Sequence, residues 1–559
     1  MQGSSGRRAD GADGKDGRGS NGARDASPPP PITVTGATLG RHLGAVLDPT
    51  TAAREAGRPR AMSVAYRAGT LLISGRHAER QALAKTNDVL ARSSLALAPL
   101  RIPAGGRESL ARDLPVTVQV VRAGDAPPGP APDAWTALVA LREGLGADDP
   151  LVQGTSLEHL LTVAPVLGPS PVLGPSPVLG PSPVLGPSPA GSWLGGYAPG
   201  ARGPVVVLTP PPVRRLPEEL PAGRRPIVAV LDTGIGEHPW LPRSGADPVV
   251  VVDEDMQAAL AAQQQALAQA EGTVLPLLDD SAEQRDLVDP LLGQTDAVAG
   301  HGTFAAGLVH QSAPDARVLS LRVVHTDGVV AEGDVLLALD LLRARVQDAL
   351  ERGDDERVVD VLSLSLGYYS ETPDDERWTS ALTGVLTALS ELGVVVVAAA
   401  GNDATTARYL PAGLPDGALG DGRSVLAVGA LTGGGQIAAF SNEGPHVRRW
   451  APAAGVVSTV PTTFQGSGAA DLQVRPAPGA RRRASTDPDD LVTGFAVWSG
   501  TSFAAPVVAG LVAGALAEQT HATGGDALAA RRDAAAKALQ AADAMLAARG
   551  WAAGPGLDR

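Results

Sequence analysis

Three short segments carry the side-chain types from which a nucleophilic hydrolase is built. They place an aspartate in Val230-Leu-Asp-Thr-Gly-Ile235, a histidine in Gly300-His-Gly-Thr303 and a serine in Ser499-Gly-Thr-Ser-Phe-Ala-Ala-Pro506. A serine hydroxyl is a weak nucleophile until a base takes its proton, and histidine, whose ordinary pKa lies near working pH, is the best-matched base. A carboxylate behind such a histidine fixes its tautomer and steadies the charge it takes up. Each residue also has a plainer account. Asp232 would serve equally to cap the turn that follows it, and Asp-Thr-Gly is also how an aspartic protease presents its carboxylates. That chemistry needs two carboxylates sharing a proton, and the tripeptide occurs once, so it would demand a dimer. A lone histidine is ordinarily a surface or core residue, but glycines on both sides of His301 let the backbone pass close by and leave the ring accessible at a helix start. Ser502 falls in the first turn of an apolar helical run, where free backbone N–H groups and the helix dipole stabilise developing negative charge. A solitary serine there would be read as a helix cap.

Taken in the order Asp232, His301, Ser502, the three segments resemble the catalytic signatures of the subtilisin-like proteases, the subtilases, and the resemblance covers about 225–518. It implies that Ser502 attacks the peptide carbonyl, that His301 moves the proton and that Asp232 orients His301. Val395-Val-Val-Ala-Ala-Ala-Gly-Asn402 resembles the family's strand ending in the oxyanion-hole asparagine, which gives Asn402 the task of donating its amide beside the Ser502 backbone N–H. The related sedolisin-like peptidases carry Glu and Asp where His301 and Asn402 stand, so both residues favour the subtilisin type. Leu364-Ser-Leu-Gly367 resembles the edge that pairs with an extended substrate, which implicates Ser365, Leu366 and Gly367. Residues 398–401 resemble the opposite wall of the pocket, which implicates Ala399 and Gly401. Tyr368 stands where a second glycine is common in the family, so no subsite preference carries over. The expectation is a serine endopeptidase that hydrolyses polypeptides through an acyl-enzyme. The competing expectation, from another class, is a catalytically silent scaffold or recognition protein that retains the protease fold.

The elements that must position these residues are legible as apolar runs. Segments 227–231, 249–252, 318–324, 358–366, 394–400 and 425–430 are short runs dominated by Val, Leu and Ala, as strands covered on both faces require. Helical patterns at 334–350 and 377–392 separate them. The fold class expected is α/β: a doubly wound, mainly parallel sheet with helices on both faces, preceded by a small α+β domain. Functional groups in such sheets lie at the carboxyl ends of strands. An Ala/Gln-rich stretch at 256–273 reads as a surface helix, 403–423 as an elongated loop and 480–490 as a polar, Arg-rich insertion.

Upstream, a strand at 69–75, a helix at 78–91, a strand at 115–121 and a helix at 133–145 outline the small domain, and Thr155-Ser-Leu-Glu158 has the spacing of a capping box that would open a turn of helix. Pro-Val-Leu-Gly-Pro-Ser then repeats four times from Pro165 to Ser188. Two prolines per repeat deny helix and ladder hydrogen bonds, so a semi-rigid spacer is expected in preference to a β-helix, reaching roughly 75 Å if fully polyproline-like. That length permits docking of the small domain on the cleft and equally permits separation from it. The expected division is a tail at 1–31, a regulatory or propeptide-like domain at 32–162, a linker at 163–202 and a peptidase domain at 203–559.

Composition narrows the partners. With 46 basic against 60 acidic residues the net charge is −14, which argues against nucleic acid as a partner. The chain has no cysteine, which excludes thiol nucleophiles and thiolate metal sites. The apolar run at 507–517 falls short of the ~20 residues that span a bilayer, and no secretory signal is evident at the start, so a cytoplasmic protein without membrane contact is expected. No organic cofactor is called for. The family resemblance allows a structural calcium ion, but no loop of EF-hand spacing names its ligands, and the acidic clusters 253–255 and 279–280 read as solvated.

Overall fold

The structure, a computed structural model, describes residues 34–163, 202–464, 473–474, 483–484, 491–519 and 527–551. Short stretches at 56, 76, 79, 101–114, 125, 147, 222, 276, 284–286, 290–293, 297, 372–379 and 492 are excepted. The tail at 1–31, the proline-rich repeats and most of the insertion at 480–490 lie outside the described residues.

The N-terminal unit contains β1 (Gly44–Val46), β2 (Ala65–Ser74), β3 (Leu95–Pro99), β4 (Pro115–Arg122) and β5 (Thr155–Val163), with α1 (Arg80–Leu90) and α2 (Ala134–Leu145) packed on the sheet. The strands are antiparallel in the order β5-β2-β4-β3, with β1 beside β2. Helix α2 begins where the Asp133 carboxylate accepts the Thr136 N–H at 2.9 Å. Its Trp135, Leu138 and Leu141 close over Leu71, Ile73, Val118 and Val120 to make the unit's own core. Thr155-Ser-Leu-Glu158 opens strand β5 rather than the expected turn of helix. Residues 155–157 pair with 71–73 of β2, and Glu158 turns inward to Arg67 at 3.0 Å and Thr70 at 2.5 Å. These long-range partners outweigh a local capping signal that is individually weak.

The C-terminal unit contributes β6 (Ile227–Asp232), β7 (Val250–Val252), β8 (Arg317–Arg322), β9 (Val329–Ala331), β10 (Val361–Leu364), β11 (Leu366–Tyr369), β12 (Val395–Ala399), β13 (Tyr409–Leu410), β14 (Leu426–Leu431) and β15 (Arg449–Pro452). Its helices are α3 (Glu254–Glu271), α4 (His301–Ser312), α5 (Glu332–Arg352), α6 (Ser380–Glu391), α7 (Thr501–Ala517) and α8 (Ala527–Ala548). Seven strands form a parallel sheet in the order β15-β14-β12-β10-β6-β8-β7. Every residue of β6, β10 and β14 is buried, which accounts for their predominantly apolar character. Helices α4, α7 and α8 pack as one group, α3, α5 and α6 as another, giving the doubly wound α/β layering. Helix α8 is tied down by Arg531, which shares the buried Asp360 carboxylate with Arg224 at 2.7 and 2.6 Å. Burial opposes ionisation of Asp360, but the two guanidinium groups hold it below the usual carboxylate range.

Two expectations change in detail. The run at 358–366 is not one strand but β10 and β11, interrupted at Ser365. Helix α3 is no mere surface helix. Gln257 is buried with its amide donating to the carbonyls of Leu278 and Arg322 at 2.6 and 2.9 Å, and Gln263 donates to Asp334 at 3.0 Å. Polar residues can face a core when each finds a partner, so glutamine content alone misjudged this face.

The two units share a sheet. Strand β5 continues between β9 and β11, with Leu160, Leu161 and Thr162 opposite Ala331, Val330 and Val329, and with Thr162 and Val163 opposite Gly367 and Leu366. The Val163 N–H also donates to the Gly328 carbonyl at 3.0 Å, and β13 pairs with the far end of β11. Leu161 and Val163 belong to the core of the C-terminal unit. A buried charge cluster seals the junction. His159 lies between Glu332, 2.7 Å from Nδ1, and Glu371, 2.9 Å from Nε2, with its ring stacked on Tyr368 at 4.3 Å.

Candidate active site

Asp232 is the last residue of β6, at the carboxyl end of the sheet, and is 1% exposed. Its Oδ1 accepts from the Thr233 N–H at 2.8 Å and lies 2.7 Å from His301 Nδ1. That contact presents the imidazole with its proton on Nδ1 and leaves Nε2 as the basic nitrogen. His301 opens α4, whose N-cap Gly300 has φ +88° and no side chain with which to cap the helix. The next residue must also be glycine, because any Cβ on Gly302 would run into the Gly234 carbonyl. The flanking glycines therefore serve the close docking of α4 against the Asp232 turn.

The His301 ring lies 5.0 Å from the ring of Phe503 and edge-on to Trp498 at 5.6 Å, which places it beside the first turn of α7. Ser502 is the second residue of that helix. Its hydroxyl donates to the Ser365 carbonyl at 3.2 Å, while His301 Nε2 makes no hydrogen bond among the described residues. Ser502 is thus turned towards Ser365. Pro506 explains a second link between these residues. Having no N–H, it cannot bond the carbonyl four residues back, which is that of Ser502, and the Ser365 hydroxyl donates to that carbonyl at 2.8 Å instead.

Asn402 follows β12. Its Oδ1 accepts the Thr501 N–H at 2.9 Å, which fixes the amide. Gly401, at φ +100°, donates its N–H to Thr501 Oγ1 at 3.1 Å. A Cβ at Gly401 would strike Asn442, whose amide holds the Ala400 carbonyl at 2.9 Å and whose Oδ1 accepts the Asp403 N–H at 2.9 Å. Of the residues assigned to substrate by resemblance, Leu366 and Gly367 pair with β5, Ser365 lies under Ser502, and Ala399 is buried within β12 opposite Val428. Tyr368 turns to the inter-unit junction, where its hydroxyl donates to Glu332 at 3.1 Å.

Sequence reasoning missed Glu283, which sits behind the Asp232–His301 pair. Burial pushes its carboxyl up to about 8 against the pull of three donated hydrogen bonds, and Asp232 adds to the rise. Nothing in the polar run Asp279-Asp280-Ser281-Ala282-Glu283 distinguishes it from a solvated loop. Tyr409 was missed too; its hydroxyl donates to the Thr162 carbonyl at 2.7 Å. No group of three or more His, Cys, Asp or Glu residues able to hold a metal ion occurs among the described residues. No helix among them is long and apolar enough to cross a membrane.

A sequence model of the subtilase family matches residues 223–551, well over half of the chain. The chain belongs to the subtilase family. It is similar to subtilisin-like proteinase Mp1 of Magnaporthiopsis poae, 31% identical over 164 residues that make up 28% of this chain and 36% of that protein. It is also similar to subtilisin-like protease 4 of Trichophyton equinum, 29% identical over 184 residues, 31% of this chain and 41% of that one. The chain thus spans about two-fifths of the length of the curated relatives it matches. A solved cold adapted subtilisin-like serine proteinase covers 54% of this chain and 77% of its own, at 21% identity and a TM-score of 0.32. In this subtilase the matched region holds Asp232, His301, Asn402 and Ser502, whereas β5 and the rest of the N-terminal unit precede it.

Proposed function

We propose that this subtilase is a serine endopeptidase that cleaves polypeptides through Asp232, His301 and Ser502. The observation that carries the reading is the 2.7 Å contact of Asp232 with His301, whose ring packs on Phe503 at the helix start that bears Ser502. In the proposed cycle Ser502 rotates from the Ser365 carbonyl to His301 Nε2, surrenders its proton there and attacks the scissile carbonyl. Asp232 keeps the imidazole in the required tautomer and offsets the charge it gains. The Asn402 amide and the Ser502 N–H receive the developing oxyanion, a contact that matters chiefly in the transition state. His301 then returns the proton to the leaving amine, and water, activated by the same nitrogen, releases the acyl group.

Substrate enters this scheme as an extended strand between β9 and β11, where main-chain hydrogen bonds give affinity and side-chain pockets give choice. Occupation of that seat by β5 supports the reading, since it is built to hold a strand. It also makes the described state a closed one, in which the N-terminal unit must leave before a substrate binds. The test is hydrolysis of a set of internally quenched peptides by wild type, Ser502→Ala, His301→Ala and Asp232→Asn. The two alanine variants should lose turnover with thermal midpoints near wild type, and Asp232→Asn should lose about 10⁴ in kcat. Turnover retained in either alanine variant removes the assignment, and no turnover by wild type under any opening condition favours the silent scaffold.

A further inference from the structure

We propose that Glu283 is a positioning residue of the peptidase site, whose carboxyl group locks the helix that carries His301 onto the turn that carries Asp232; the inference rests on the peptidase reading. Glu283 is 5% exposed and accepts three hydrogen bonds from groups beside the two catalytic side chains. Oε1 takes the Thr233 hydroxyl at 2.7 Å and the Gly300 N–H at 2.5 Å, and Oε2 takes the Thr303 hydroxyl at 3.0 Å. Thr233 directly follows Asp232, Gly300 directly precedes His301, and Thr303 lies on the first turn of α4.

The arrangement answers a need created by the sequence. A helix start normally has its free N–H groups capped by the N-cap side chain, and here that residue is glycine. The missing cap is supplied from outside the helix. The Gly302 N–H is taken by Thr233 Oγ1 at 2.9 Å. That hydroxyl can present a lone pair to Gly302 because its proton is committed to Glu283. Thr303 works the same way in the other direction, accepting the Gly236 N–H at 2.8 Å while donating to Glu283. One carboxyl group therefore orients two hydroxyls, and each hydroxyl stitches the Asp232 turn to the His301 helix. The space leaves little room for a substitute, since a side chain at Gly234 would meet the Glu283 backbone N at 2.9 Å.

The consequence is a distinction between building the site and aligning it. Without the Glu283 acceptors the two segments remain packed, but the 2.7 Å Asp232–His301 contact loses its external brace. Small misplacements of a catalytic group are costly, about 10² for shifts near 1 Å. The experiment uses the full chain as wild type, Glu283→Gln, Thr233→Val and the double variant, each reported per titrated active site. It also records the far-downfield proton resonance of the His301 Nδ1–H, assigned by its loss in His301→Ala. Glu283→Gln keeps the shape of the side chain but turns one acceptor oxygen into a donor. It should lower kcat by about 10–10² with KM within about twofold, and should broaden or shift the His301 resonance while the thermal midpoint stays close to wild type. Thr233→Val should do the same, and the double variant should be no worse than the worse single one, because both act through one chain of bonds. An unchanged kcat and an unchanged resonance in Glu283→Gln, or losses that simply multiply in the double variant, overturn the proposal. If wild type hydrolyses nothing under any opening condition, the peptidase reading falls, and the resonance alone still decides whether Glu283 positions His301.

Discussion

Replacing His159 by alanine should open the cleft. His159 belongs to the N-terminal unit, yet its two carboxylate partners, Glu332 and Glu371, both belong to the C-terminal one. Burial opposes its protonation, but the two carboxylates hold the imidazole up to about 10, so it is a cation at neutral pH. Breaking a buried ion pair by removing one partner costs about 3–5 kcal/mol, because the remaining charge is left in a dry site. Here the carboxylates keep other partners, since Arg142 lies 3.8 Å from Glu371 and the Tyr368 hydroxyl donates to Glu332. The low end applies, about 3 kcal/mol or roughly 10² in the docking equilibrium at about 1.4 kcal/mol per decade. The loss falls on docking, because the N-terminal unit's own core of Leu71, Ile73, Val118, Leu138 and Leu141 does not include His159. The assay is hydrolysis of a short fluorogenic peptide by the intact chain, followed from time zero. His159→Ala should raise the initial rate by up to about 10², with the ceiling reached when β5 has left its seat. Equal initial rates for variant and wild type, at matched active-site titre, would refute the claim that this cluster holds the cleft closed.

Three further outcomes are expected. Asn402→Leu should lower kcat by about 10²–10³, or ~2.7–4 kcal/mol, with KM little changed, since its amide meets charge present only in the transition state; a KM effect at constant kcat would make it a ground-state contact. Ser365→Ala should cost about 1–3 kcal/mol in denaturant unfolding, because it strips the Ser502 carbonyl of the donor that Pro506 cannot supply. Docking should depend on pH with opposite signs at its two ends. The raised His159 contributes fully below about 6.5 and loses that contribution as pH climbs through about 10, whereas Glu371, pulled down to about 2 by His159 and Arg142 against its burial, contributes fully above about 4.5 and loses it towards 2. Hydrogen exchange in 155–163, corrected for intrinsic rates, should therefore show strongest protection between about pH 4.5 and 6.5 and weaker protection near pH 10. Protection that grows steadily to pH 10 would exclude this linkage.

The parts legible in the sequence were those written in local chemistry. The unbroken apolar runs of β6, β12 and β14 announce strands covered on both faces, and glycines around His301 announce a close backbone approach, which proves to be against Gly234. What escaped depends on partners distant in the chain. Glu158 follows a helix-capping spacing, yet it sits in a strand because Arg67 and Thr70 await it about ninety residues upstream. Gln257 looks like a surface residue until the carbonyls of Leu278 and Arg322 are seen to satisfy it. Glu283 is invisible for the same reason: its neighbours in sequence are polar, and its three donors come from 233, 300 and 303. The seating of β5 between β9 and β11 is likewise a matter of register across more than 160 residues, which no local pattern encodes.

The most direct measurement is site-resolved labelling by a small fluorophosphonate, with the modified peptide identified by mass spectrometry. Wild type, His159→Ala and His301→Ala are treated native, and wild type is also treated denatured. Native protein should take stoichiometric label on Ser502 alone, faster in His159→Ala than in wild type, with none in His301→Ala or after denaturation. No label in either wild type or the opened variant, or label that persists when His301 is removed, would contradict the assignment of Ser502 and His301 to one catalytic unit.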